Sequence, residues 1–341
     1  MKVVVLYDGV AIDWTAEEIS SVMLPVNEIV QILSDEGHDV ARLGVRHDLR
    51  WLAKARRADI VFNLYEGING VGRFEDLVTS TMELAGIPFT GASAWTTTVC
   101  HHKGLINSFL QAAGLPVPRW VVPRGHKVAK DFPLPAIVKP AAEDASAGIE
   151  QDSVATTRRA LEMCVARLSE TYDEVIVQEY VDGREFAVGF VGDVTLPVSE
   201  IDFGKMPAGA WRILTFSAKW EKGSVDDIGT RPVCPAPIDK ELEKRLTTTA
   251  AAAWRLVGGS GYGRVDMRVD TQGRPWILEV NPNPDISDNA GLSAMAAARG
   301  WTYPELVLRI FDLARSAAQR EQSVAGLAGA PSARTSNRAT A

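Results

Sequence analysis

The sequence predicts an α/β unit followed by α+β units, and three observations carry that prediction. The first third alternates short apolar runs with amphipathic helical patterns, the order that builds a parallel sheet. The remainder is richer in strands. Near its end, "GRVDMRVDTQGRPWILEVNPNP" (263–284) reads as a hairpin with apolar alternation. At 341 residues, 46% hydrophobic and 23% charged, the chain is long enough for two or three domains with their own cores.

The elements follow in order. KVVVLYDG opens as a strand, then come a helix over 16–36, the strand DVARLGV, a helix over 48–57, the strand DIVFNLYEG, a helix over 74–85 and the run IPFTG. A helix over 104–113 is stopped by Gly114 and the PVP after it, and a new unit starts there. That unit holds FPLPAIVKP, a helix over 154–169, and EVIVQEYVDGREFAVGFVGD, which reads as two strands joined by a turn at Asp182 and Gly183. More strands are expected from 186, then a polar loop over 204–230, a helix over 238–256, the quoted hairpin and a last helix over 303–318. Residues 322–341, rich in Ala, Ser, Gly and Thr without an apolar face, predict a disordered tail.

Composition excludes several functions. A net charge of -7 opposes a nucleic-acid partner, whose phosphates call for a basic face. No apolar run reaches the roughly 18 residues of a membrane span, and MKVVVLYDG carries no cleavable signal pattern. The three cysteines, Cys100, Cys164 and Cys234, are odd in number and lack C-x-x-C spacing, which points to a reducing cytoplasm.

The hairpin carries the chemistry. Side chains alternate faces along a strand, so Arg264, Asp266 and Arg268 share one side while Val265, Met267 and Val269 share the other. Likewise Ile277, Glu279 and Asn281 share a side. With a four-residue turn at Thr271–Arg274, Asp266 faces Glu279 and Arg264 faces Asn281. Carboxylates roughly 5 Å apart repel by about 3 kcal/mol at an effective dielectric near 20. A cation between them, or a solvated edge neutralised by Arg264 and Arg268, relieves that repulsion. As hard oxygen donors, Asp266, Glu279 and Asn281 select Mg²⁺ or Mn²⁺ over zinc, and Mg²⁺ held by so few protein groups carries phosphates too.

Lys139, in the apolar strand PAIVKP, is costly to bury unpaired; it either meets an anionic ligand or snorkels to the surface. The small-residue loop AAEDASAGI (141–149), which includes Ser146, is able to lay N–H groups over phosphate. Neither a Walker A motif nor G-x-G-x-x-G is present, and GINGVG (67–72) fits neither spacing.

Taken in order, GIPFTG, IVKP, EYVDGREF and GRVDM…LEVNPNP resemble the ATP-grasp superfamily, and within it the D-alanine:D-alanine ligases, over residues 1 to about 318. The resemblance implies an ATP-grasp fold with an N-terminal parallel-sheet α/β domain (1–96), a central lobe (97–185), a C-terminal lobe with metal site and lid loop (186–320) and a tail (321–341). It implies ATP and Mg²⁺ or Mn²⁺ as cofactors, amino-acid substrates, and a cytoplasmic homodimer. Carried over residue by residue, the metal ligands are Asp266, Glu279 and Asn281. The phosphate lysines are Lys103 and Lys139, with Lys219 on the γ-phosphate. Gln178, Glu179, Tyr180 and Val181 line adenine, Glu185 binds ribose, Arg264 steadies the tetrahedral intermediate, and Glu18 holds the first substrate's ammonium group. The loop with Gly204, Gly209 and Gly223 closes over the intermediate.

Departures fall in the amino-acid pocket. Glu66 stands where such ligases carry histidine, Asp144 and Ala145 replace a glycine and a serine of the phosphate loop, and Trp220 replaces the lid tyrosine. Asp285 replaces the glycine after the ligand asparagine's motif, and Gly291 aligns with the serine that receives the second carboxylate. Lost donors cost about 1–3 kcal/mol each when their partner is buried, so a changed substrate is expected. Glu66 suits a cationic group, or a salt bridge to Arg73 or another arginine. The function expected is an ATP-dependent carboxylate–amine ligase acting through an acyl phosphate. The alternatives are an authentic D-alanine:D-alanine ligase and an ATP-grasp kinase; a nucleotide-binding module without catalysis is disfavoured by the full charged set.

Overall fold

Val3, Val5 and Leu6 are at most 1% exposed, although they point to both faces of the first strand. A strand that buries both faces lies inside a sheet covered on both sides, the usual state of a parallel sheet. In the computed structural model, which describes residues 1–9, 15–46, 48–67, 74–125 and 127–328, that strand is β1 (Lys2–Asp8). After α1 (Ala16–Asp35) comes β2 (Asp39–Val45), and after α2 (Arg50–Ala55) comes β3 (Ile60–Asn63). The sheet order is β2-β1-β3, all parallel. One face packs on Val26, Ile29 and Leu33 of α1 and on the C-terminal helix; the other packs on α2 and α3 (Glu75–Leu84). IPFTG does not form a full strand. It adds two backbone hydrogen bonds to Val61, one accepted by Pro88 O and one donated by Thr90 N, and Pro88 has no N–H to extend the ladder.

Two helices follow, of which the sequence announced only the second. Three consecutive threonines hide α4 (Ala94–His101) from a propensity reading, but Ser93 caps it by accepting from Thr96 N at 3.2 Å. His102 then caps α5 (Lys103–Ala112) through Leu105 N. Both helices sit in the core of the C-terminal lobe, through Val99, Cys100, Ile106 and Leu110.

The central sheet is built from β4 (Trp120–Val121), β5 (Ala136–Pro140), β6 (Val154–Ala155) and β7 (Val175–Glu179), ordered β4-β7-β5-β6 and backed by α6 (Arg158–Ser169). Residues 154 and 155, expected in a helix, pair with β5 instead, so α6 starts four residues later.

The expected hairpin at Asp182–Gly183 is not one. β8 (Gly183–Val191) pairs with β10 (Ser199–Asp202) and with β12 (Tyr262–Asp270), in a different sheet from β7, and the two-residue β9 (Val194–Thr195) hangs from its end. The glycine serves a close approach rather than a turn: a Cβ at Gly183 would lie 1.9 Å from Val269 O. The chain therefore crosses between sheets at Tyr180–Asp182.

The expected loop over 204–230 contains α7 (Phe216–Trp220) and α8 (Val225–Gly229), each N-capped, by Thr215 and Ser224. Then come β11 (Arg231–Val233), α9 (Lys240–Leu256), β12, β13 (Pro275–Asn281), α10 (Gly291–Ala298) and α11 (Tyr303–Ala328). The larger sheet runs β11-β10-β8-β12-β13. The last helix extends to Ala328, beyond the expected 318, because AAQREQ is strongly helix-forming. That corrects the tail for 321–328; residues 329–341 lie outside the described residues.

Candidate active site

The β12–β13 ribbon holds Asp266 opposite Glu279 and Arg264 opposite Asn281, as the sequence predicts, but by a different route. Asp270 N bonds to Arg274 O and Gly273 N to Asp270 O, so the turn is Thr271–Gly273 with Gly273 at φ +77, one residue tighter than expected. A β-bulge between Asp266 and Met267 skips Leu278 and restores the register. The bulge also turns Ile277 over: it is 0% exposed in the core beside Val280, not on the Glu279 face.

Charges converge on the ribbon. Arg264 grips Asp266 with two hydrogen bonds, Nε to Oδ1 at 2.7 Å and Nη2 to Oδ2 at 2.8 Å. Lys103, buried at the start of α5, donates to Glu143 O and lies 3.3 Å from Asp144 Oδ1 and 3.8 Å from Glu279 Oε1. Burial works against its charge, yet Asp144 and Glu279 raise its pKa overall. Burial pushes Glu279 up to about 7 against the pull of Lys103, with Asp144 and Asp266 adding to the rise. Lys139 makes no ion pair among the described residues; burial and then Lys103 lower it to about 8, while Glu279 and Glu185 oppose the fall. Lys219 is exposed at the end of α7, and the surrounding protein, then Arg264, lower its pKa while Glu279, Asp266 and Glu185 oppose. Asn281 Oδ1 accepts from Asn283 N at 2.9 Å.

This donor set fits a divalent cation carrying phosphates. Two carboxylates and an amide converge, the Glu279 carboxylate is disfavoured first by burial and then by neighbouring acids, and three lysines stand within electrostatic reach. No group of three or more His, Cys, Asp or Glu side chains among the described residues is placed to hold a metal. That excludes a zinc-type cage but not an aspartate–glutamate–asparagine set.

The crossing between the two sheets gathers polar side chains. Gln178 is 1% exposed and its Nε2 has no hydrogen-bond partner. Glu179 N donates to Arg119 O at 2.7 Å, and the Tyr180 ring packs edge-on against Trp211. Arg268, on the Asp266 face of β12 and paired with Glu185 in register, locks this crossing. It donates to Val181 O at 2.8 Å, twice to Glu185 Oε2 at 3.0 Å, and to Arg212 O. The sequence offers Arg268 only as a neutraliser of a solvated edge; in the fold it is 3% exposed and committed to Glu185 instead.

The loop over 141–149 bends sharply at Ala145 and Ser146, both non-glycine residues with positive φ (55° and 63°). The α7 segment docks on it. Phe216 N donates to Ile149 O at 2.8 Å, and Trp220 Nε1 donates to Ala145 O at 3.1 Å, so the loop-to-lid bond runs to a backbone acceptor here. Asp144 lies 2.8 Å from His101 Nε2, which also lies 3.1 Å from Glu75 Oε2. Burial raises Glu75, whereas in Asp144 Lys103 and His101 overcome burial and lower the pKa. His101 and Glu75 were not expected at the site, and nothing in their local sequence marked them.

Of the amino-acid residues, Glu66 follows β3, and its N–H donates to Asp8 Oδ2 at 3.3 Å. Asp285 is exposed and accepts from Ser287 N and Oγ at 2.8 and 2.6 Å. Gly291 opens α10 with nothing within 4 Å of a would-be Cβ. Glu18 lies in the first turns of α1, and its side chain, like Arg73, lies outside the described residues.

Comparison with known proteins places this geometry in context. Residues 109–312 match the family described as "D-ala D-ala ligase C-terminus". A D-alanine:D-alanine ligase of Gluconobacter oxydans is 32% identical over 313 residues, covering 90% of this chain and 96% of the relative. Among solved structures, the D-alanine:D-alanine ligase of Bacillus anthracis complexed with ATP superposes with a TM-score of 0.75 at 21% identity, covering 94% of this chain and 99% of that one. The VanG D-Ala:D-Ser ligase of Enterococcus faecalis superposes with a TM-score of 0.72 at 20% identity, covering 92% and 99%.

Proposed function

The chain belongs to the D-alanine:D-alanine ligase family of ATP-grasp enzymes, and on that premise we propose that it joins an amino acid's carboxylate to an amine, with ATP converted to ADP and phosphate. The single observation that carries this reading is Asp266 facing Glu279 across the ribbon, with Lys103 beside Glu279. A carboxylate attacks the γ-phosphate to give an acyl phosphate, and an amine attacks the acyl carbon; no side-chain nucleophile is needed. Asp266, Glu279 and Asn281 would hold Mg²⁺ or Mn²⁺, which supplies charge neutralisation on the phosphates. Lys103 and Lys139 position the triphosphate, Lys219 approaches from the lid, and Arg264 stabilises the oxyanion formed at the acyl carbon. Gln178 offers an unused buried donor to adenine, beside Glu179, Tyr180 and Val181. Glu185 receives the ribose, its Oε2 fixed by Arg268. Ser146 turns its loop toward the phosphates, and the lid helices exclude water.

The substrate pair differs from two D-alanines, because Glu66, Asp144, Ala145, Trp220, Asp285 and Gly291 change the pocket while the nucleotide set is retained. One fold relative, the VanG enzyme of Enterococcus faecalis, is a D-Ala:D-Ser ligase. A cytoplasmic homodimer is the state the resemblance supports; the described cysteines are unpaired, and no described helix is long and apolar enough to cross a membrane. Supplying single and paired D- and L-amino acids with MgATP tests the reading. A ligase gives ADP, phosphate and a condensed product only when an amine acceptor is present, and a stable phosphorylated product without acceptor would make the protein a kinase.

A further inference from the structure

The edge of the N-terminal sheet holds carboxylates that the phosphate chemistry does not use. Asp8 ends β1 and Glu66 follows β3, so both stand at the carboxyl ends of adjacent parallel strands, where α/β sheets take their ligands. Asp8 is 9% exposed, and while its Oδ2 accepts from Glu66 N, its Oδ1 has no hydrogen-bond partner. The Tyr65 hydroxyl, wholly buried and also unpartnered, lies within electrostatic reach of Asp8 and Glu75.

Asp285 completes the edge from the opposite lobe. Asn283 Nδ2 donates to Tyr65 O at 3.1 Å, which pins the segment after Asn281 to the residue before Glu66. The carboxylate edge is thus tied directly to the ribbon where the acyl phosphate would form. Among the described residues, no Lys, Arg or His nitrogen lies within 4 Å of Asp8, Glu66 or Asp285. Glu66 is exposed at this edge with Asp285 and Asp8 as like-charged neighbours, and burial pushes Asp8 up to about 7. A cation brought between them would relieve all three at once. The described residues offer no metal cage here, which favours an organic cation over a metal ion.

We propose that this edge receives the cationic side chain of an amino-acid substrate, an ammonium or guanidinium group, with Glu66 as the accessible contact and Asp8 beneath it. The inference rests on the ligase reading and names its substrate class. Replacement of the family's histidine by Glu66 is then a change of specificity, because a carboxylate pairs with a cation that an imidazole would repel or leave unpaired.

The test measures ADP release by the full chain with MgATP and ornithine, lysine or arginine, against norvaline and norleucine, each in D and L form, singly and in pairs. Titration calorimetry of the same amino acids gives a readout independent of turnover. A basic side chain is expected to raise kcat/KM at least tenfold over the neutral chain of matching length. Glu66→Gln and Asp8→Asn are expected to shrink that preference mainly through KM, and Glu66→Asp to restore part of it. Preference for the neutral amino acids, or a preference that Glu66→Gln leaves unmoved, overturns the inference and leaves the ligase reading standing. If no amino acid releases ADP, the ligase reading fails and calorimetry decides the inference. Binding of a basic amino acid that Glu66→Gln abolishes supports it, and equal or absent binding overturns it.

Discussion

The β12–β13 ribbon and the edge of the N-terminal sheet both gather carboxylates, yet they treat their charge in opposite ways. On the ribbon each acid has a cation at hand: Arg264 on Asp266 at 2.7 Å and Lys103 near Glu279 at 3.8 Å, with Lys139 and Lys219 in reach. At the sheet edge Asp8, Glu66 and Asp285 have no such partner among the described residues, and one oxygen of Asp8 is orphaned. A mixed-charge surface suits a metal–triphosphate complex, which brings both signs with it. A one-sign surface suits a ligand that brings only positive charge.

That contrast is broken most severely by Glu279→Gln. Removing a ribbon carboxylate should lower ADP release at least about 10³-fold with every amino acid supplied, measured at saturating ATP, whereas an edge substitution should change which amino acid is preferred. Equal losses from Glu279→Gln and Glu66→Gln would erase the distinction.

Next in size is Arg268→Met. Arg268 is 3% exposed, and its loss leaves the Glu185 carboxylate and the carbonyls of Val181 and Arg212 without their donor. Breaking a buried pair of this kind costs about 3 kcal/mol, read as a lower midpoint in thermal or denaturant unfolding. Arg50→Met, which removes an exposed pair with Asp48, should cost less than about 1 kcal/mol in the same assay.

A smaller effect comes from pH. Burial raises the folded-state pKa of Asp8 to about 7, above its ordinary carboxylate value. The folded chain therefore keeps a proton that the unfolded chain has already released, and stability is lost as pH rises through that window. The thermal midpoint should fall by a few degrees between about pH 5 and pH 8, and Asp8→Asn should flatten the fall. A midpoint that rises across the same range would contradict the one-sign description of the edge.

Smallest is Trp220→Phe, which removes the indole donation to Ala145 O. A single exposed hydrogen bond of about 1 kcal/mol predicts two- to fivefold more ATP hydrolysed per condensed product as the lid closes less firmly.

The sequence revealed the ribbon's facing carboxylates because alternation is a local property, but their register survived for a reason it did not contain. The turn is shorter by one residue and the Leu278 bulge compensates, a pair of errors invisible in a strict period of two. The Asp182–Gly183 turn failed for the opposite reason. Glycine was read as chain reversal, while in the fold it admits the Val269 carbonyl and lets the chain pass between sheets. α4 was hidden by its threonines, which disfavour helix until a Ser93 cap and core packing outweigh them. Arg268, His101 and Glu75 act through partners distant in the chain, which no local pattern announces. Of the expected amino-acid residues, Glu18's side chain falls outside the described residues.

That Asp266 and Glu279 grip ATP through a divalent ion is decided by calorimetric titration of ATP in the presence of Mg²⁺ or of a chelator. Tight uptake that requires Mg²⁺ and disappears in Glu279→Gln is the predicted result. Equal affinity with and without metal, or in the variant and the parent, would contradict it.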